Sequence, residues 1–318
     1  MDVTKAFEKN AFSILIPTLN GGDTLEKLFV SLKKQDLQPA EILVADSSSS
    51  DGTVDICRKY GARVWRVNRE DFDHGGTRTF LVGKTNREII VFLTQDIEFA
   101  SSAALRLLIE PLVGNGESCV CSYGRQLPAA DASWHAAFLR RFNYPERSQK
   151  RSFNDRQKLG LRTIFTSNSF AAYRRRNLLA VGSFRNGLIF GEDTCTVGKI
   201  LQDGGTIAYV AEAAVYHSHN YSLQGEFRRA YDTGVLHSSE KWLLDTFGTA
   251  EGIGFSFVRS AFAQLLKEGK FITAIEFIIR TGLKFTGYRL GRKYTLLPPF
   301  LHSSFSMNRT WWQRRNTT

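Results

Sequence analysis

Three short constellations in this sequence could carry group-transfer chemistry. Asp96 closes the run Leu93-Thr94-Gln95-Asp96, Glu192-Asp193 follow Gly191, and His217-Ser218-His219 follow an apolar run. A strand-end carboxylate can ligate a hard divalent ion, which usually takes one or two carboxylates plus substrate phosphates; it can equally be a turn former. Acids in the first turn of a helix commonly compensate its dipole. One that faces an active rim can instead take a proton from an acceptor hydroxyl, worth ~10²–10⁴-fold in rate. Histidines two apart on a strand share one face, which suits metal or phosphate contact.

Three further segments offer polar groups. Asp46-Ser47-Ser48-Ser49-Ser50-Asp51-Gly52-Thr53 supplies short acceptors that could hold a base and ribose, or simply a turn and helix cap. Pro17-Thr18-Leu19-Asn20 carries the same two readings, since Pro can merely end a strand. In Asp73-His74-Gly75-Gly76-Thr77-Arg78 the paired glycines would let backbone N–H groups approach a phosphate, and the Arg could pair with phosphate or lock a carboxylate. The alternative is a Gly-rich turn with a solvated Arg. The phosphate-binding pattern G-x-x-x-x-G-K-[ST] is absent.

The elements that must position these groups follow from periodicity. Phe12–Ile16, Glu41–Ala45 and Arg63–Val67 read as strands separated by helix-like Thr24–Gln35 and Val54–Tyr60. This β-α-β-α-β rhythm predicts an α/β fold with a parallel sheet and right-handed crossovers, with ligands at the carboxyl ends of its strands. The loops Pro17–Gly22, Asp46–Gly52 and Asp71–Arg78, and Asp96 after the strand Glu88–Leu93, then share one rim. A helix over Ser101–Leu112, strands over Ser118–Tyr123 and Thr166–Tyr173, helices from Asn177 and Glu192, and strands over Thr206–Val210 and Ala214–His217 follow. Ala132–Leu159 reads as helix and loop. From about Gln224 the chain turns helical and basic.

Composition narrows the class. The 318 residues are 42% hydrophobic and 12% aromatic, enough to offset the entropy of ordering a globular chain. Of the net charge of +11, most lies in the tail: Phe255–Thr318 carries eleven Lys or Arg against two acids. The near-neutral remainder argues against an all-over nucleic-acid-binding surface. Cys57, Cys119, Cys121 and Cys195 lack zinc or disulfide-framework spacing, so a reducing cytoplasm is expected. Met1–Asn10 has no apolar signal core, and no apolar run approaches the roughly 20 residues of a spanning helix.

Taken in order, Ile16-Pro17-Thr18-Leu19-Asn20, Val44–Thr53, Phe72–Arg78, Leu93-Thr94-Gln95-Asp96, Gly191-Glu192-Asp193 and His217 resemble the inverting GT-A glycosyltransferases of family 2, and within them bacterial rhamnosyltransferases. The resemblance spans roughly Phe12 to Tyr221. It implies a Rossmann-like GT-A domain over residues 1–223, with a nucleotide-sugar half to about 125 and an acceptor and base half from 126, followed by a helical basic region over 224–318. It implies that Pro17, Thr18, Asn20, Asp46, Ser48, His74, Gly75, Gly76, Arg78, Gln95 and Asp96 serve the donor, with Asp46 near the base and Arg78 steadying the diphosphate or the metal carboxylate. Asp96, the last residue of a degenerate D-x-D, and His217 would bind Mg²⁺ or Mn²⁺; Asp193 would be the catalytic base, with Glu192 and His219 contacting acceptor or lying behind the site. Thr94 stands where many relatives carry the first acid of D-x-D, and Thr79 where an Asn is usual. The implied donor is dTDP-rhamnose and the acceptor a glycan, lipid-linked at the inner face of the cytoplasmic membrane. Acceptor contacts are expected in Ala132–Thr166 and the tail.

The tail segment Phe271–Leu290 puts Phe271, Ile275, Ile278, Ile279 and Phe285 on one side, and Trp311-Trp312 lies near the end. Such a basic amphipathic segment suits membrane-surface association; a packed helix or an oligomer interface is the alternative. Two other functions compete: the same fold using another donor such as a UDP-hexose, and a polyanion-binding protein working through its tail, whose salt-sensitive binding would survive Asp193→Asn.

Overall fold

The computed structural model describes residues 12–113, 119–249 and 251–315; the expectations for Met1–Asn10 and for Ser118 lie outside them. In chain order the elements are β1 (Phe12–Thr18), α1 (Gly22–Lys33), β2 (Glu41–Asp46), α2 (Thr53–Lys59), β3 (Arg63–Arg66), α3 (His74–Val82), β4 (Ile89–Leu93), β5 (Glu98–Phe99), α4 (Ala104–Val113) and β6 (Cys119–Leu127). There follow α5 (Trp134–Asn143), β7 (Gln149–Arg151), α6 (Arg156–Leu159), β8 (Phe170–Arg174), α7 (Arg175–Ala180), α8 (Glu192–Gln202) and β9 (Thr206–Tyr216). The helices α9 (Leu223–Ser239), α10 (Lys241–Phe247), α11 (Glu251–Lys267), α12 (Phe271–Arg292), α13 (Pro299–Phe305) and α14 (Arg309–Arg315) complete the chain.

The strands form one sheet in the order β3-β2-β1-β4-β8-β6-β9-β5, with β7 beside β9. β1 pairs in parallel with β2 and β4, and β2 with β3, as the alternating pattern predicts. β8 enters antiparallel between β4 and β6. Burial on both faces explains the nearly continuous apolar runs Phe12–Ile16 and Ile89–Leu93. The chain winds outward from β1 to β3 and then crosses to β4, so the strand order reverses beside β1, where a ligand crevice opens at the carboxyl ends.

Two expected elements differ. Thr206–Val210 and Ala214–His217 are one strand, β9, in which the apparent gap is an irregularity: its register against β6 shifts between Gly124 and Arg125. The intervening polar groups are satisfied laterally, since Ser148 Oγ accepts from Ala211 N at 2.8 Å and donates to exposed Glu212 at 2.5 Å. The Gly-rich stretch after Asp73 is not a loop but the first turn of α3. The Asp73 carboxylate caps it by accepting from Gly76 N at 2.7 Å.

Within the basic tail α9 and α12 cross with backbones so close that glycine is required. A Cβ at Gly291 would lie 2.0 Å from Tyr231 O, and one at Gly234 would lie 2.3 Å from Tyr288 O. This crossing turns the Phe271, Ile275, Ile278, Ile279 and Phe285 stripe outward, leaving Phe271 65% and Phe285 66% exposed. Trp311-Trp312 behaves otherwise than expected of a surface anchor. Trp312 is buried in the main core, stacked on His302 at 4.1 Å, because α14 folds back onto α9.

Candidate active site

The carboxyl rim of the sheet opens into a cleft of about 2130 Å³. Pro17, Thr18 and Leu19 after β1, Ser47 after β2, and Thr94, Gln95 and Asp96 after β4 line it, together with His74, Arg78, Glu192, Asp193, His217 and His219. The converging loops expected from the strand pattern therefore meet at one place.

Among the described residues Asp96, His217 and His219 form a group of potential metal donors, with one ligand atom from each lying within 4.8 Å of the others. Asp96 Oδ1 is 3.4 Å from His217 Nδ1, Asp96 Oδ2 is 3.9 Å from His219 Nε2, and the two imidazoles meet edge to face at 4.7 Å. β9 ends at Tyr216, so the histidines sit just beyond the strand, yet on one side. His217 is buried and its Nδ1 has no hydrogen-bond partner among the described residues, while Nε2 lies 3.3 Å from Ser169 Oγ. Burial lowers the pKa of both imidazoles, that of the buried His217 to about 4, and so favours their neutral forms. A neutral, orphaned ring nitrogen beside a carboxylate is the donor set a divalent ion accepts. His219, for which both a metal or phosphate contact alongside His217 and a place at the acceptor or behind the site were expected, lies spatially in this group.

Glu192 and Asp193 open α8, after Gly191 in the left-handed conformation (φ 79°). Glu192 is buried and pairs with Arg78 at 3.2 Å; Arg78 also donates to His74 O at 3.0 Å. Burial alone would raise the Glu192 pKa, but Arg78 and His74 outweigh it and hold it low. Arg78 therefore locks the carboxylate of Glu192, not that of Asp96. Asp193, half-buried, shows the opposite shift: burial and the neighbouring Glu192 charge raise it to about 6. Asn168 holds the pair in place. Its Nδ2 donates to Glu192 at 3.2 Å, its backbone N donates to Asp193 at 3.3 Å, and its Oδ1 accepts from Tyr173 OH at 2.7 Å. Asn168 escaped sequence reasoning because it lay within an expected strand; the polar triplet Ser167-Asn168-Ser169 ahead of an apolar run was the available signal.

Several residues expected at the donor brace the loops of the rim. The Gln95 amide is consumed by loop bracing: its Oε1 accepts from Thr18 Oγ1 at 2.6 Å and Leu19 N at 2.9 Å, and its Nε2 donates to Leu19 O at 3.0 Å. The Asp46 carboxylate accepts from Ser49 Oγ at 2.5 Å and Ser49 N at 3.0 Å, closing its own turn. Asn20 accepts from Ser50 N at 3.0 Å and Ser48 donates to Val67 O at 3.0 Å, each tying neighbouring loops together. Gly75 is glycine for packing, since a Cβ there would lie 1.9 Å from Arg185 O, and the Gly76 N–H is spent on Asp73. Asn20, Asp46, Ser48, Gly75 and Gly76 are not among the cleft-lining residues, whereas Pro17, Thr18, His74, Arg78, Gln95 and Asp96 are.

Residues 13–182 match the family model described as glycosyl transferase family 2. The chain belongs to that family. It is 40% identical over 306 residues to the O-antigen chain rhamnosyltransferase RfbN of Salmonella typhimurium, covering 94% of this chain and 95% of that one. It is 39% identical over 304 residues to the O-antigen chain rhamnosyltransferase WbaN of Salmonella anatum, covering 95% and 96%. Among solved structures it resembles the mannosyltransferase PcManGT of Pyrobaculum calidifontis, in complex with GDP-Man and Mn²⁺, with a TM-score of 0.59, 16% identity, and coverage of 98% of this chain and 88% of that one. Glucosyl-3-phosphoglycerate synthase of Mycobacterium tuberculosis, in complex with Mn²⁺, uridine diphosphate and glucosyl-3-phosphoglycerate, follows with a TM-score of 0.52 and 21% identity over 78% and 83%. The fold is GT-A.

For a family-2 glycosyltransferase the opposed behaviour of adjacent carboxylates matters. The Arg78 and Asn168 contacts hold Glu192 as the anion, while Asp193 is raised into a range closer to neutral pH. Arg78→Ala leaves the buried Glu192 charge unpaired, a loss of about 3–5 kcal/mol. A drop in melting temperature of several degrees in calorimetry is the expected result, and an unchanged one would show the pair to be dispensable. Opposite the rim, Leu139, Arg140, Tyr144, Phe165 and Thr166 line the cleft from the stretch where acceptor contacts were expected, and Arg229, Arg289, Arg292 and Arg309 line it from the tail. Much of the tail's charge therefore faces the cleft as well as solvent.

Proposed function

We propose that this glycosyltransferase transfers L-rhamnose from dTDP-rhamnose to a glycan acceptor of cell-surface polysaccharide synthesis, with inversion at the anomeric carbon. One observation carries the catalytic part: a raised carboxylate, Asp193, and the Asp96–His217–His219 donor group line the same cleft. The sugar follows from the near-full-length likeness to two rhamnosyltransferases.

In this reading Asp193 takes the proton of the acceptor hydroxyl as its oxygen bonds to the anomeric carbon and the bond to the nucleotide diphosphate breaks. Glu192, clamped by Arg78 and Asn168, sets the position of Asp193 and raises its basicity through like charge. Asp96, His217 and His219 would hold Mg²⁺ or Mn²⁺, which when bound supplies positive charge to the departing diphosphate. Thr18 and His74 face the donor; Gln95, Asp46, Asn20 and Ser48 keep its loops rigid.

The test is a panel of nucleotide sugars, following diphosphate release with Mg²⁺, Mn²⁺ or chelator. Release from dTDP-rhamnose that requires metal supports the reading. Turnover of a UDP-hexose in its place would sink the rhamnosyl assignment and leave the family intact.

The lipid-linked acceptor and peripheral attachment at the inner face of the cytoplasmic membrane belong to the same proposal. Among the described residues no helix is long and apolar enough to cross a membrane. What supports attachment is the outward stripe of α12 with Ile272, 86% exposed, together with the exposed cations Lys267 and Arg289, Lys270 being paired with Glu268 at 2.8 Å. Each such cation adds ~1 kcal/mol near anionic lipid. Arg280 and Lys284 contribute less, since both pair with Glu226. Ile272→Asp with Ile279→Asp is expected to abolish cosedimentation with anionic vesicles while transfer to a soluble acceptor survives. Vesicle binding unaffected by the double change would refute this surface.

A further inference from the structure

Beyond the reacting groups, the C-terminal strap Ser306–Arg315 touches the site from outside the catalytic domain, and it is fastened to that domain along its path. Asp232, buried in α9, accepts from Met307 N at 3.0 Å and from Asn308 Nδ2 at 3.4 Å. Trp312 then inserts into the core against His302, Tyr294 and Tyr231.

Between these anchors and the cleft, two side chains reach loops that bear site residues. Arg314 Nη2 donates to the carbonyls of Glu70 and Phe72, the latter at 2.9 Å. Trp311 Nε1 donates to Gly187 O at 2.9 Å. The two loops are also joined directly, for Asp73 Oδ2 accepts from Gly187 N at 2.9 Å while its other oxygen caps α3. One loop carries Arg69, Phe72 and His74 into the cleft; the other carries Leu188, Ile189 and Phe190 and runs into Gly191, two residues before Asp193.

We propose that Trp311 and Arg314 are positioning residues for transfer: the C-terminal strap staples the donor-side loop Arg69–His74 to the loop that delivers the catalytic carboxylate. This inference rests on the glycosyltransferase reading and adds a part of the site outside the residues 13–182 that match the family model. Loops are the mobile part of such a site, and unbraced carbonyls at residues 70, 72 and 187 would let the donor wall sample positions that bind poorly. The cost should therefore fall on donor affinity first, in proportion to the fraction of chains holding the competent arrangement.

The experiment compares full-length wild type, Trp311→Phe, Arg314→Ala and Arg314→Lys, measuring donor KM, acceptor KM, kcat and melting temperature. Arg314→Ala removes hydrogen bonds from a charged donor, so donor KM is expected to rise about tenfold. Acceptor KM should stay within about twofold and Arg314→Lys should recover most of the loss. Trp311→Phe keeps an aromatic ring and deletes the N–H, and is expected to raise donor KM about threefold, which keeps the test decisive if Arg314→Ala folds poorly. An unmoved donor KM in both variants overturns the proposal. So does a parallel fall of kcat and melting temperature without a donor KM change, which is the mark of a merely structural strap. If wild type transfers from no nucleotide sugar, the underlying reading fails; if it transfers normally and the variants match it, the positioning role alone fails.

Discussion

Asp193→Asn should leave a folded protein that binds donor and barely turns it over. The amide keeps the shape of the carboxylate and can accept from Thr194 N, which donates to Asp193 at 2.7 Å, but it cannot take a proton. Loss of a general base predicts a fall in kcat of about 10²–10⁴-fold with donor affinity retained. The direction of the pKa shift adds a second, independent signature. Because burial and Glu192 raise Asp193 to about 6, the wild-type rate should climb as pH rises toward 6 and level off above it. The residual activity of the Asp193→Asn variant should lack that limb. Stability should move the other way: a carboxyl whose folded pKa is raised loses stability as pH rises through the shifted range, so removing the charge should leave the melting temperature at neutral pH unchanged or higher. Equal kcat in wild type and Asp193→Asn would eliminate Asp193 as the base. Glu192→Gln should shift the acid limb of the profile to lower pH, since it removes the like charge that lifts Asp193.

Asp96→Ala is expected to abolish metal-assisted donor binding and to reduce kcat/KM by on the order of 10²–10³-fold, the range for removing a preorganised electrostatic contact from a developing charge. The readout that does not depend on turnover is titration calorimetry with the nucleoside diphosphate. Wild type should bind more tightly with Mn²⁺ than with chelator, and Asp96→Ala should bind equally in both. His217→Ala should behave in the same direction, because its buried Nδ1 lies 3.4 Å from the Asp96 carboxylate and lacks another partner. A metal effect that survives both substitutions would place the ion elsewhere. Thr94, where the first acid of the motif is usual, presents a buried hydroxyl that has no hydrogen-bond partner, so the sheet edge offers Asp96 no second carboxylate at that position. His219, beyond the end of β9, takes up the position from which a third donor can reach.

Legibility differed by the distance over which each interaction acts. Short-range preferences set the strand–helix alternation, and apolar runs such as Phe12–Ile16 announced buried parallel strands because nothing else covers both faces with β-branched and large aliphatic residues. The carboxylates and histidines stood out because charged and imidazole groups at strand and helix ends are chemically specific. The glycines of Gly75-Gly76 misled because the sequence shows a residue without a side chain but not what lies opposite it, here the Arg185 carbonyl. Gln95 could not be resolved from the sequence, as an amide offers equal capacity to a ligand and to the backbone of Leu19, which it engages here.

By itself, then, the sequence determined the α/β class and the rim on which Asp96, Asp193 and His217 gather, both of which follow from local pattern and side-chain chemistry. Only the tertiary structure decided that Arg78 grips Glu192 and not Asp96, that His217 and His219 meet Asp96, and that Asn168 bridges both carboxylates. It alone turned the α12 stripe outward while drawing Trp312 into the core and Arg314 onto the donor loop. Those outcomes depend on which backbones can approach, as at Gly234 and Gly291, and on which partner satisfies a buried polar group. Contacts between residues separated by tens to hundreds of positions settle both, and no local pattern encodes them.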